Sequence, residues 1–157
     1  MGIRGINLNL RGHVGLTLTV LSLTFLLLDL RDVYYIKVLI LSAGFSSLPD
    51  IDLRVGLPHR RYTHNLIFVV TTSLLFGYLT STLLNDFNLG FYSLIVAGVL
   101  HLLGDVMTYM GFTPFYPLSS KNIALRLFKS DNRFVNNFLL ISGTLLLMLY
   151  LKSCYNI

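Results

Sequence analysis

The chain has 157 residues, of which 54% are hydrophobic and 12% charged, with a formal net charge of +5. A mean hydropathy of +0.70 and so few charges lie far from the roughly 25% charged composition of soluble domains, and the Lys and Arg surplus reads as the basic bias of cytoplasmic membrane loops, not as a nucleic-acid footprint. The single cysteine, Cys154, excludes an intrachain disulfide and a thiolate zinc site. The expectation is an all-α polytopic membrane protein built as a single integral membrane domain.

Taken in order, Arg4 and Arg11 precede an apolar run at about 13–28. The run is followed by Asp29-Leu30-Arg31-Asp32 where a signal peptide would need small residues, so it reads as a retained first membrane helix. A second run covers about 33–48, with Tyr34 and Tyr35 as interfacial aromatics and Lys37 able to snorkel, and Pro49 stops it. Both runs fall short of the roughly 20 residues of a full span. Further spans are expected at about 65–84, 91–110 and 134–151, giving five. Between the last two, Thr113-Pro114-Phe115-Tyr116-Pro117 reads as a turn-rich re-entry and 123–128 as a short interfacial helix.

Basic residues set the expected orientation. Arg4, Arg11, Arg54, Arg60, Arg61, Lys121, Arg126, Lys129 and Arg133 fall on one side of a five-span topology, against Arg31 and Lys152 on the other. The N-terminus, second loop and fourth loop are therefore expected in the cytoplasm and the C-terminus outside a cell membrane.

This topology carries the four histidines, His13, His59, His64 and His101, towards one membrane face. Asp105 follows His101 by one helical turn, so the two share a face, and Asp50 and Asp52 reach the same end from the second span. Ionisable groups inside a membrane point to function. Neutral imidazoles with carboxylates and no thiolate suit one or two divalent ions, zinc first, with Mn, Fe or Mg as alternatives. Water activated by such an ion would be the nucleophile. Arg60 is expected to bind an anionic group such as phosphate.

The ordered set His13-x-Gly15, Pro49-Asp50-x-Asp52, His59-Arg60-x-x-Thr63-His64, His101-x-x-x-Asp105-x-x-Thr108, Gly111 and Pro114-Phe115 resembles the YdjM-like family of predicted membrane-bound metal-dependent hydrolases, LexA-regulated inner-membrane proteins. The resemblance implies metal binding by His13, Asp50, Asp52, His59, His64, His101 and Asp105, and a hydrolase assignment; Arg60, Asp52 and Thr63 are the residues expected to act in catalysis. The chain departs from the pattern at Arg61, where the family has a small residue, and at Asn65, where it has Ser. The expected activity is hydrolysis of an ester, a phosphoester of a lipid or lipid-linked substrate, with the bilayer and that substrate as partners and no nucleic acid. Two other readings use the same ligands: a divalent-metal transporter or metal-sensing membrane protein, and a structural protein whose metal only staples short helices together.

Overall fold

The computed structural model describes residues 10–52, 56, 60 and 62–155. These form five α-helices: α1 (Leu10–Leu27), α2 (Val33–Phe45), α3 (Leu66–Leu84), α4 (Phe87–Val106) and α5 (Arg133–Tyr155), with a 3-10 turn at Leu48–Asp50. No strand occurs among the described residues. Four of the helices, α1, α3, α4 and α5, are long and apolar enough to cross a membrane.

The starts of three helices follow from side chains that accept the otherwise unpaired first N–H groups. Asp32 caps Tyr34 at 2.7 Å, Asn65 caps Phe68 at 2.8 Å and Asp86 caps Leu89 at 2.9 Å. The Asp86 cap explains why α4 begins at Phe87, four residues before the hydropathy run at 91 suggests. Asn85 takes the left-handed conformation, φ 54°, that ends α3 and turns the chain tightly into α4.

α2 departs most from expectation. Its 13 residues make a helix of about 20 Å, against roughly 30 Å of bilayer hydrocarbon. It ends at Phe45, where the Ser46 hydroxyl donates to the Ala43 carbonyl, and Pro49 sits in the first positions of the 3-10 turn that replaces continued helix. The residues from Ser46 onward therefore leave the helix at the depth of His101, whose imidazole meets the Ser46 carbonyl.

α4 is the central helix: 61% of its apolar window is buried, compared with 22% for α3 and 17% for α5. It packs on α2 and α3, while α5 packs along α1. Gly15 and Gly143 make that second seam close, since a Cβ on Gly143 would lie 2.6 Å from the Gly15 carbonyl oxygen. Successive contacts of Gly15 with Leu139, Leu18 with Gly143 and Leu30 with Tyr150 show α1 and α5 running in the same direction. Leu18, Leu21, Phe25, Leu39, Leu89 and Tyr150 form the apolar core far from the polar end.

The segment 123–128 is extended, not helical. Ile123 pairs with Phe112 and Phe128 with Thr108, and the N–H groups of Leu125 and Leu127 donate to the carbonyls of Val106 and Met107. Carbonyls at and just after the end of α4 thus accept from alternate N–H groups of 123–128 and hold the segment as a cap across the polar end.

Candidate metal centre

Four helix ends meet at that polar end: the start of α1, the exit of α2, the start of α3 and the last turns of α4. His13, Asp52, Thr63, His64, His101 and Asp105 are all buried there, and Asp50 is 17% exposed at its side chain. His59 and Arg61 lie outside the described residues.

The geometry is that of several acceptors facing a common point. His64 Nε2 lies 3.2 Å from His101 Nε2 and 3.3 Å from both Asp50 Oδ1 and Asp105 Oδ2. His101 Nε2 lies 3.7 and 3.6 Å from those same two oxygens. Donors bound about 2.0–2.1 Å from one zinc-sized ion are separated by roughly 3.3 Å in a tetrahedron, so the spacing fits a divalent cation with little adjustment.

Hydrogen-bond logic places a hydrogen on Nδ1 of both His101 and His64. His101 Nδ1 is 2.7 Å from the Ser46 carbonyl, which can only accept, so Nδ1 holds a hydrogen, and in the neutral ring Nε2 presents a lone pair. The Thr63 hydroxyl donates to Asp52 Oδ2 at 2.8 Å, so its oxygen, 3.0 Å from His64 Nδ1, accepts from that nitrogen. In the neutral ring His64 Nε2 likewise presents a lone pair. Burial holds the His64 imidazole below its ordinary pKa, opposed by Asp50 and Asp105, and so favours its neutral form. Asp105 Oδ2, buried between the two rings, has no hydrogen-bond partner. With both imidazoles neutral, His64 Nε2, His101 Nε2, Asp50 Oδ1 and Asp105 Oδ2 turn acceptor atoms to one point, a donor set that suits a divalent ion.

His13 stands beside this set. Its ring stacks on His101 with centroids 3.7 Å apart, Nε2 is 3.9 Å from Asp105 Oδ1, and neither ring nitrogen has a hydrogen-bond partner. His13, Asp50 and His101 could hold an ion as a group, as could His64, His101 and Asp105. His101 belongs to both, which leaves room for one ion or two neighbouring ones.

Asp52 takes a different place from the other carboxylates. Its Oδ2 accepts from the Arg60 backbone N–H at 3.0 Å and from Thr63, and lies 3.4 Å from His64 Nδ1. It thus sits behind His64, the position from which a carboxylate orients a ligating imidazole and raises its basicity. Thr63 shares that place.

Arg60 turns inward as well. Its guanidinium pairs with Asp105 Oδ1 at 2.6 Å, reaches Thr108 Oγ1 at 3.2 Å and donates to the Met110 carbonyl. The fork expected to meet an anionic substrate is engaged in holding Asp105 and the first residues after α4. Its backbone has φ 62°, a left-handed conformation uncommon outside glycine, and the contact of its N–H with Asp52 helps to hold it there. The carbonyls of Ser46 and Met110 went unnoticed in the sequence because a backbone acceptor carries no side-chain signature. Thr108 stands in the motif, but nothing in its spacing marked it as a partner of Arg60.

Fold and site together define a polytopic helical membrane protein with a buried His–Asp cluster at one end of its bundle. The family model of the YdjM inner membrane proteins matches residues 8–156, and the chain belongs to that family. Neither the curated proteins nor the solved structures compared with the chain include a match.

Proposed function

We propose that this protein is a membrane-embedded metal-dependent hydrolase of an ester, a phosphoester of a lipid or lipid-linked substrate. The convergence of His64, His101, Asp50 and Asp105 lone pairs, with Asp105 Oδ2 lacking any hydrogen-bond partner, carries the reading. Zinc is the ion that imidazole and carboxylate donors at this spacing suit best, with Mn, Fe or Mg as alternatives. A bound divalent ion supplies Lewis-acid polarisation of the substrate oxygen and brings the pKa of water towards neutrality. Within the chain, Arg60 fixes Asp105, the Asp52–Thr63 pair orients His64, and the Ser46 carbonyl orients His101. His13, stacked on His101, is a further ligand or a second ion's partner. Arg60, Lys121, Arg126, Lys129 and Arg133, in or next to the capped end, support a cytoplasmic site, with the N-terminus inside and the C-terminus outside.

Metal content by elemental analysis, measured with turnover on a panel of phosphoesters and carboxylesters, tests the proposal. His101→Ala and Asp105→Ala should lose both metal and hydrolysis; unchanged metal in both variants would remove the reading. One observation favours metal transport instead: the hydroxyls of Thr17 and Ser22 are buried on α1 beyond His13 and have no protein partner. Metal flux in reconstituted vesicles, without ester turnover, would promote that reading over hydrolysis.

A further inference from the structure

The cap across the polar end turns its two ends inward, with Ile123 paired to Phe112 and Phe128 to Thr108. Between them Leu125, Arg126 and Leu127 are all exposed. A regular strand would send alternate side chains to opposite faces. Arg126 instead takes a left-handed backbone, φ 56°, which breaks the alternation and leaves Leu125 and Leu127 each 59% exposed. Leu118, 85% exposed, and Phe134, 80% exposed, flank the segment in the chain. Lys121, Arg126, Lys129 and Arg133 stand among these residues, all exposed, and none of the four forms an ion pair with a described residue. Asp131 is the only acidic residue after Asp105.

We propose that this face of the cap docks on anionic lipid head groups, with its leucines at the boundary between head groups and acyl chains and its Lys and Arg side chains on the lipid phosphates. Three observations select a lipid surface as the occupant. The segment joins α4 to α5, both long and apolar enough to cross a membrane, so it starts and ends at the bilayer interface. Its exposed residues interleave apolar and basic side chains, the composition of segments that lie in that interface. A cluster of roughly four to eight Lys and Arg beside a membrane helix is drawn to anionic lipids, and here no internal carboxylate competes with phosphate for the four charges. Docking there is independent of any hydrolysis at the cluster beneath.

The chain has no tryptophan, so Leu127→Trp supplies a single fluorescent reporter at an exposed position. The full chain with this substitution is placed in phosphatidylcholine nanodiscs containing a minor fraction of phosphatidylglycerol, and brominated acyl chains are carried by one lipid and then by the other. Emission should be blue-shifted, and per mole of brominated lipid phosphatidylglycerol should quench several-fold more than phosphatidylcholine. High salt, which shortens the reach of exposed charges to about 3 Å at about 1 M, should bring that ratio towards one. Adding Lys121→Gln, Arg126→Gln and Lys129→Gln together should do the same, while quenching by phosphatidylcholine persists. All three positions are exposed, and an unchanged melting temperature separates lost docking from a lost fold. Equal quenching per mole by the two lipids at low salt, or an undiminished ratio in the folded triple variant, overturns the proposal. So does emission typical of water with no quenching by either lipid, which would place this face in the aqueous phase and favour an acidic soluble partner.

Discussion

Asp52→Asn separates a carboxylate that binds metal from one that only orients a ligand. In the structure Asp52 Oδ2 accepts from the Arg60 N–H at 3.0 Å and the Thr63 hydroxyl at 2.8 Å, and stands 3.4 Å from His64 Nδ1. An asparagine with its amide oxygen in the same place keeps the first two contacts, so the loop from Asp52 to His64 should still fold. What it loses is the negative charge behind the imidazole. Removing such a supporting group lowers metal affinity about 10–100-fold, or about 1.4–2.8 kcal/mol at 1.4 kcal/mol per decade. Removing a ligand that faces the ion, as in His101→Ala, should leave purified protein without stoichiometric metal. Competitive zinc titration against a chelating dye, in detergent at fixed pH and salt, measures both. Asp52→Asn should bind stoichiometrically but more weakly, and its turnover should return when zinc is raised. If Asp52→Asn loses metal as completely as His101→Ala, Asp52 is itself a ligand and the inference from its position fails.

Three further outcomes follow from the same contacts. Arg60→Met leaves buried Asp105 without its guanidinium, which should cost about 3–5 kcal/mol and appear as a clear fall in melting temperature; no change would mean that the pair at 2.6 Å is not formed in the membrane. Gly143→Leu pushes α5 off α1, an overpacking cost of about 1–3 kcal/mol, yet should leave bound metal unchanged because α5 supplies no candidate ligand; loss of metal at an unchanged melting temperature would contradict this arrangement. Zinc at about 1,000 times its dissociation constant should stabilise the chelator-stripped protein by about 4 kcal/mol, and an absent shift would count against a metal site altogether.

Much of this arrangement is legible in the residue order, for physical reasons that also mark where legibility stops. Long apolar runs mark α3, α4 and α5, and the one-turn spacing of His101 and Asp105 places both on one face before any coordinates are known. The second run is read too long because hydropathy registers Ser46, Ser47 and Leu48 as tolerable in a span, while Pro49 and the Ser46 hydroxyl have already ended the helix. Pro49-Asp50-x-Asp52 announces two carboxylates but not their directions. The 3-10 turn aims Asp50 at the His64 and His101 nitrogens, and the following residues bring Asp52 round behind His64. The apolar spacing of 123–128 suits a helix, yet free carbonyls at the end of α4 draw it into an extended pairing that only the tertiary structure reveals.

The premature end of α2 is the feature on which the site depends. Non-helical backbone at membrane depth is tolerated only where protein or a cavity covers it, because unpaired peptide groups in hydrocarbon cost several kcal/mol each. Here the Ser46 carbonyl is satisfied by His101 and the Asp50 N–H by Ser47, so the break is compensated by the site that it creates. Charge follows the same logic. Asp105 and Arg60, both nearly excluded from solvent, pair at 2.6 Å, because a lone charge is costly to hold in a low-dielectric interior.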